Sequence, residues 1–205
     1  MQATDVVFYI AILIMSVVIH EVSHGFMAEH FGDNTARNAG RLTLNPLKHL
    51  DPFGSVILPI LLYISSGFVI GWAKPVPYNP NNLSDRKWGT VAVASAGILA
   101  NLFLAVLFGL VLRFTSGNIM PVGFNFIVSS IVMVNLALAV FNLVPIPPLD
   151  GSKILISLLP ASLESIAFRF EQYSLILLVL FISLFSNYLF PVIAFLFHLI
   201  TGLFL

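Results

Sequence analysis

The chain contains no cysteine in its 205 residues, which excludes disulfides, thiolate catalysis and cysteine-ligated zinc. Charge is also scarce, because Asp, Glu, Lys and Arg make up only 9% of the residues, against about 25% in an average soluble domain. Nine basic residues balance nine acidic ones, so no basic surface for nucleic acid is expected. The remainder is 59% apolar, with a mean hydropathy of +1.00. This composition excludes soluble and disordered proteins and predicts one membrane-embedded domain over residues 1–205.

Long apolar stretches predict an all-α polytopic membrane protein with about five or six membrane segments. The expected segments are Asp5–Phe31, Pro52–Trp72, Gly89–Leu112, Val122–Val144 and Ser174–Leu205. The first is expected to be retained, because no basic region precedes its apolar run and no clear cleavage site follows it. The last would form a helix of about 48 Å, too long for a ~30 Å hydrocarbon layer without strong tilt. Ser186, Asn187 and Pro191 therefore predict a break into two short spans. The main part of the domain is expected to cover about 5–155 and the C-terminal segments about 162–205. Residues 162–172 are expected to form an amphipathic segment that leads into the last span.

Segment 52–72 is interrupted by glycine, proline and serine, which predicts a re-entrant hairpin and not a full crossing. With that topology, eight of the nine Lys and Arg residues lie on one face of the membrane and only Arg113 lies on the other. The positive-inside rule then places the basic loops in the cytoplasm and the amino terminus outside.

The chemistry is concentrated in the sequence His20-Glu21-Val22-Ser23-His24. Residues four apart on a helix share a face, so both imidazoles can bind one zinc ion, and Glu21 can take a proton from zinc-bound water. His20 follows about 14 apolar residues, which places the motif inside the membrane near its cytoplasmic edge. Ionisable groups at that depth usually face a partner or a water-filled cavity. The alternative is a helix end at the interface with hydrogen-bonded histidines.

A catalytic zinc site needs a third protein ligand. Asp150 is a candidate, because it follows a proline-broken helix end and precedes Gly151. Spacing alone leaves open whether it binds metal or caps backbone N–H groups in a turn. Asn142 has a similar ambiguity: it either makes an interhelical hydrogen bond or supports a substrate oxyanion. Near it, Pro145, Pro147 and Pro148 must unwind the helix, and extended backbone near a metal suits the pairing of a peptide substrate.

Two motifs in combination resemble the site-2 protease family of intramembrane zinc metalloproteases, peptidase family M50. They are the H-E-x-x-H of residues 20–24 and F-N-L-V-P-I-P-P-L-D-G of residues 141–151. Shorter matches lie at residues 40–46, 49–54, 71–77 and 96–101, so the resemblance spans about 15–155. Many members of this family also have PDZ or CBS domains, and because residues 1–205 match neither, a minimal form is expected.

The resemblance implies one Zn²⁺ per chain, held by His20, His24 and Asp150, with Glu21 as general base and acid and Asn142 assisting the substrate carbonyl. It also implies hydrolysis of peptide bonds in or near transmembrane segments of membrane-anchored proteins, at the cytoplasmic side of a prokaryotic inner membrane. A regulatory membrane partner or a second copy of the chain stays open. His49 and Asn45 could support the site from a loop, although a solvated loop histidine is the expected interpretation. His198 is given no role in the site, and a lone histidine in the last span is expected to be an interface or packing residue.

Two other functions fit part of the sequence. A metal-ion transporter also uses intramembrane His, Glu and Asp, but it needs a series of sites across the membrane. A catalytically silent scaffold with the same fold has no use for a base beside a metal, so the intact Glu21 argues against it.

Overall fold

The structure is a computed structural model that describes residues 3–57, 61, 73–115, 122–163 and 169–204. Its α-helices are α1 (Ala3–His30), α2 (Thr35–Asn38), α3 (Arg86–Thr115), α4 (Val122–Leu143), α5 (Asp150–Leu158) and α6 (Ser174–Thr201). Short 3₁₀ segments at Pro46–Lys48, Pro80–Asn82 and Ala161–Leu163 lie in the connections. No strand occurs in these ranges, so the predicted all-α class is confirmed.

Four of the described helices are long and apolar enough to cross a membrane. They are α1, α3, α4 and α6. The ends of α1, α3 and α4 lie within about three residues of the ends of the predicted segments. The chain is therefore an integral membrane protein.

The predicted division of the last segment is wrong. Residues Ser174–Thr201 form one helix of 28 residues with Pro191 inside it. Proline is tolerated in a membrane helix because local adjustments satisfy the freed backbone group. At 1.5 Å per residue α6 is about 42 Å long, so tilt or protrusion accommodates the excess length.

The predicted re-entrant hairpin falls mostly on residues 58–60 and 62–72, which lie outside the described part of the chain. Before them, Pro52–Ile57 forms a short π-helical segment. Asp51 caps its start, since Asp51 Oδ1 accepts from the backbone N–H of Phe53 at 3.0 Å and of Gly54 at 2.7 Å.

Helix α3 is central, because it packs against α1, α4, α5 and α6. A buried apolar cluster joins it to α4 and α6, and its members are Ala105, Leu112, Val128, Val132, Leu136, Ile193 and Phe197. Gly109 lets α6 approach, since a Cβ there would overlap the side chain of Ile200. Small residues at such crossings are typical of helices that pack in lipid.

The C-terminal end of α3 is also bonded to the C-terminal end of α6. Arg113 Nη1 donates to the carbonyl oxygens of Leu199 at 3.0 Å and Ile200 at 3.4 Å. The C-terminal ends of α3 and α6 therefore lie on the same side of the molecule, where a cation also compensates the exposed carbonyls of a helix terminus.

Candidate metal centre

Helix α1 carries the two histidines of the H-E-x-x-H motif on its protein-facing side. His20 is 6% exposed and His24 is 8% exposed. Their rings meet edge to face, with centroids 4.6 Å apart. Their Nε2 atoms lie 3.0 Å apart, which is the consequence of the four-residue spacing.

Asp150 reaches these histidines from the first turn of α5 and is 5% exposed. The proline-rich segment after α4 brings it there, with Leu149 in an extended conformation just before the helix. Gly151 is required at the next position, because a Cβ would overlap the carbonyl oxygen of Leu143 and lie 2.6 Å from that of Val144. The pair Asp150-Gly151 thus allows α5 to start directly against the end of α4.

The three side chains form a compact triangle of ligand atoms. Asp150 Oδ2 lies 3.1 Å from the Nε2 of His20 and 3.1 Å from that of His24. Tetrahedral zinc at 2.0–2.1 Å from its ligands requires them to be roughly 3.3–3.4 Å apart, so these residues fit zinc. Among the described residues, one group of at least three His, Asp or Glu side chains could hold a metal ion, and it consists of these three.

The outer nitrogens of both imidazoles have acceptors. His24 Nδ1 donates to the carbonyl oxygen of Val93 at 2.6 Å, and His20 Nδ1 lies 2.6 Å from Asn101 Oδ1. A proton on each Nδ1 leaves each Nε2 with a lone pair that points to the triangle. Three acceptor atoms then converge, which suits a cation, and the outer hydrogen bonds are of the kind that orient metal-bound histidines.

Glu21 lies beside the triangle and is held by the segment of residues 73–79, called the strap below. Glu21 Oε2 accepts from the backbone N–H of Val76 at 2.8 Å. A small cavity is lined by Glu21, His24 and Asp150 together with strap residues, Lys153, Val93 and Ala94. The carboxylate of Glu21 and two of the potential ligands therefore share one space in which water can be placed.

Two loops fix the strap. Arg41 Nη2 donates to the carbonyl oxygens of Lys74 at 2.7 Å and Pro75 at 3.3 Å, and Lys74 N donates to the carbonyl of His49 at 2.8 Å. At the other end, Asn79 N donates to Asp33 Oδ2 at 2.6 Å.

The interpretation of His49 as a solvated loop residue is wrong. His49 is 1% exposed, and its Nε2 donates to the carbonyl oxygen of Thr43 at 2.9 Å. Its role is structural, because its own carbonyl receives the strap. Asn45 caps the short 3₁₀ segment, with Oδ1 accepting from Leu47 N at 3.0 Å. His198 packs on Phe204, as expected for a packing residue.

Asn142 is near the end of α4, but its amide nitrogen donates to the carbonyl oxygen of Leu138 at 2.9 Å within that helix. It does not line the cavity that Glu21 shares with Asp150. Its assistance to a substrate carbonyl stays a prediction, for which the second N–H of the amide is available.

Lys153 stands one turn after Asp150 in α5, and its Nζ donates to Asp150 Oδ1 at 3.2 Å. Burial of Asp150 works against its ionisation, but the charge of Lys153 beside Oδ1 favours the carboxylate. Conversely, burial lowers the pKa of Lys153, but the negative charge of Asp150 raises it above the ordinary value. Lys153 therefore occupies Oδ1 of Asp150, and Oδ2 is left as the third acceptor atom of the triangle.

Two residues of α3 contact the histidines, although the sequence alone assigns neither of them to the metal site. Asn101 contacts His20, as described above. Gly97 lets α3 pass the histidines, because a Cβ there would lie 2.6 Å from His20 Cε1 and from His24 Nε2. Both residues lie in the stretch 96–101 that carried the resemblance, and that stretch was the available signal.

Comparisons with known proteins show the family of the chain. The model of peptidase family M50 matches residues 111–186, which include Asn142 and Asp150 but not the H-E-x-x-H motif. The protein named "Putative zinc metalloprotease YwhC" of Bacillus subtilis is 40% identical over 183 residues, covering 86% of this chain and 80% of the relative. The chain belongs to peptidase family M50.

One mycobacterial relative matches almost the whole chain, and a second matches two thirds of it. "Putative zinc metalloprotease Rip2" of Mycobacterium tuberculosis is 31% identical over 195 residues, covering 94% of this chain and 74% of the relative. The protein of the same name in Mycolicibacterium smegmatis is 36% identical over 146 residues, covering 67% and 52%. No solved structure matches. The predicted family is confirmed, and the M50 chain is a metalloprotease of the site-2 type.

Proposed function

We propose that the chain is an intramembrane zinc endopeptidase that cuts membrane-anchored proteins in or near their transmembrane segments, as in regulated intramembrane proteolysis. The triangle of His20, His24 and Asp150, with edges of 3.0–3.1 Å, is the observation that carries the proposal. These three residues would hold one zinc ion per chain. The names of the relatives support zinc as the metal.

The position of the triangle supports a substrate inside the membrane. His20 follows 16 residues of the spanning helix that starts at Thr4, which is about 24 Å of helix. The site therefore lies within a hydrocarbon layer of ~30 Å, towards the end of α1 from which the basic loops leave. With those loops in the cytoplasm, the site faces the cytoplasmic side of the cell membrane.

Zinc, when bound, supplies a Lewis acid that polarises a peptide carbonyl and lowers the pKa of water towards about 7. Glu21 then accepts the proton of the attacking water on the carboxylate oxygen that faces the cavity. The same carboxyl group afterwards donates that proton to the nitrogen of the leaving amine. The N–H of Val76 holds Glu21 Oε2 during both steps, so that proton transfer uses the other oxygen. Asn142 would support the oxyanion with the N–H that is not bonded to the carbonyl of Leu138.

Access of the substrate requires unwound backbone, because a helical peptide hides its carbonyl groups. The cavity beside Glu21 is small and is partly enclosed by Pro75, Val76 and Tyr78 of the strap. A membrane-anchored substrate would therefore enter by displacing covering residues, and a partner protein or a second copy of the chain could control that step.

The test compares the wild type with Glu21→Gln, both purified in detergent. Bound zinc is quantified, and cleavage of single-span membrane peptides is assayed in liposomes. The proposal expects about one zinc per chain in both proteins and cleavage by the wild type alone, because glutamine keeps the shape but cannot accept a proton. His20→Ala is the control that should lose zinc. Absence of zinc from the wild type would contradict the proposed site.

The same experiment separates the protease from a metal-ion transporter. Zinc flux into the same liposomes should be absent, or equal in the wild type and in protein-free vesicles. Flux that survives Glu21→Gln without any peptide cleavage would instead favour transport. Within the described residues one potential metal site occurs and not a series, which favours the protease.

A further inference from the structure

A chain of buried amides leads away from His20 into the helix bundle. It consists of Asn101 in α3 and Asn135 in α4, both 0% exposed, with Ser16 of α1 at 4%. We call it the amide relay. Polar groups inside an apolar bundle cost free energy unless every donor and acceptor has a partner, so the relay has few permitted orientations.

The orientation of Asn135 is fixed by a group that can only accept. Asn135 Nδ2 lies 2.8 Å from the carbonyl oxygen of Ile131 and 3.0 Å from Ser16 Oγ. If the amide were turned over, its oxygen would face the Ile131 carbonyl and two acceptors would repel. The oxygen of Asn135 must therefore point the other way, towards Asn101.

The orientation of Asn101 follows from that of Asn135. Asn101 Nδ2 donates to Asn135 Oδ1 at 2.8 Å, and the carbonyl oxygen of Ser16 lies 3.4 Å away as a second acceptor. Asn101 Oδ1 is then left to face His20 Nδ1 at 2.6 Å. Since this oxygen can only accept, Nδ1 of His20 carries the proton and Nε2 carries the lone pair.

The two histidines differ in how this is achieved. His24 Nδ1 donates to a backbone carbonyl, that of Val93, which can never become a donor. His20 depends on a side-chain amide, and an amide that turned over would present N–H groups to Nδ1. His20 would then be protonated on Nε2, where it could not bind a metal. Only His20 needs a second residue that keeps its partner in the right orientation.

We propose that Asn135 is a positioning residue that sets the metal-binding tautomer of His20 by fixing the amide of Asn101. The proposal rests on the proposed zinc site, and it adds a residue from a helix that contributes none of the three ligands.

The first test measures zinc affinity by competition with a chelator on the detergent-purified chain. Asn135→Leu keeps the branching of the side chain and removes the nearer acceptor of Asn101, so that only the Ser16 carbonyl at 3.4 Å remains, and affinity should fall about 10- to 100-fold. Ser130→Ala is the matched control, because Ser130 is also buried in α4 but its hydroxyl bonds only to the carbonyl of Phe126. Its zinc affinity should remain that of the wild type. Asn135→Ala replaces the leucine variant if the latter does not fold.

The second test distinguishes positioning from general damage to the bundle. Asn101→Asp places an acceptor in front of His20 in either orientation of the side chain. In that background Asn135→Leu should change zinc affinity less than about twofold, because no orientation remains to be fixed. A merely structural role of Asn135 would give the same loss in both backgrounds. Nitrogen-15 resonances of the His20 ring in zinc-free protein give the tautomer directly and should shift towards Nε2–H in Asn135→Leu alone.

The outcomes are separable. Zinc in the wild type together with an unchanged affinity in Asn135→Leu would overturn the relay and leave the zinc site intact. Equal losses in both backgrounds would overturn it as well. A wild type that binds no zinc, or one whose zinc survives His20→Ala, would overturn the proposed site itself.

Discussion

Glu21 and Val76 are 55 residues apart in the chain, yet the backbone N–H of Val76 donates to Glu21 Oε2 at 2.8 Å. Pro75 and Pro77 flank Val76 and have no N–H of their own. Of the three residues 75–77, Val76 therefore provides the backbone N–H that can donate to Glu21. The general base proposed here is held by a backbone group of a loop and not by another side chain.

Replacement of Val76 by proline tests this relationship, because it deletes the N–H and keeps an extended backbone. A hydrogen bond to a charged group contributes about 1.5–3 kcal/mol, and part of this is recovered by water at a partly exposed carboxylate. We expect kcat to fall about tenfold, with zinc content unchanged. Steady-state cleavage of a membrane peptide gives the rate.

Val76→Ala is the control for that variant. It loses the two methyl groups but keeps the N–H, so kcat should remain within about threefold of the wild type. Equal losses in the alanine and proline variants would mean that packing of the side chain, and not the hydrogen bond, supports Glu21.

Gly97→Ala should impair the metal site through sterics alone. The added methyl group would lie 2.6 Å from atoms of both His20 and His24, so at least one imidazole has to move. A displacement of about 1 Å at such a site can cost 10²-fold, and we expect a loss of this order in zinc affinity. Competition with a chelator measures it.

Gly123→Ala is matched to that substitution, because Gly123 is also helical and a Cβ there meets nothing within 4 Å. Zinc affinity should not change in this control. A Gly97→Ala protein with the zinc affinity of the wild type would show that the two imidazoles can move away from the added methyl group and still bind the metal.

Asp33 should make the loop region sensitive to acid. Its side chain is 0% exposed, and it accepts hydrogen bonds from Thr35, Asn79 and Asn82. Burial raises the pKa of this carboxyl, but these hydrogen bonds outweigh burial and lower its pKa below the ordinary value. The stabilisation is therefore fully present above the unfolded pKa of about 3.9 and is lost as pH falls through the lower folded value.

Thermal unfolding in detergent between pH 6 and pH 3 checks this expectation. The Tm of the wild type should fall at the acid end of this range, and the Tm of Asp33→Asn should be lower at pH 6 and less dependent on pH. Parallel curves for the two proteins would show that Asp33 does not govern the acid response. Limited proteolysis near Asn79–Asn82 would locate the loosened segment.

The part of the site that depends on residue spacing within one helix could be predicted from the sequence. Four-residue spacing places His20 and His24 on one face of a helix whatever the rest of the chain does. Asp150 is 130 residues from His20, and no local periodicity connects them. It was assigned only because the motif around it resembles a known family.

Other features depend on packing that the sequence does not display. An asparagine in an apolar helix looks the same whether it faces lipid, a neighbour or a histidine, so Asn101 and Asn135 could not be distinguished from ordinary packing residues. Pro191 suggested a break that the helix does not make, because backbone strain from one proline costs less than exposing an unwound backbone to lipid. The polar composition of residues 33–51 predicts a solvated His49, yet its side chain is 1% exposed, because it bonds to the carbonyl oxygen of Thr43 within its own loop.

The triangle also has a consequence for the stability of the whole chain. It joins α1 to α5 across 130 residues, in a protein that has no cysteine with which to form a cross-link. A metal ion that binds these helices only in the folded chain would add its binding free energy to the free energy of unfolding. The ion proposed for hydrolysis would then also hold α1 and α5 together, and chelation would remove the activity and this stabilisation at once.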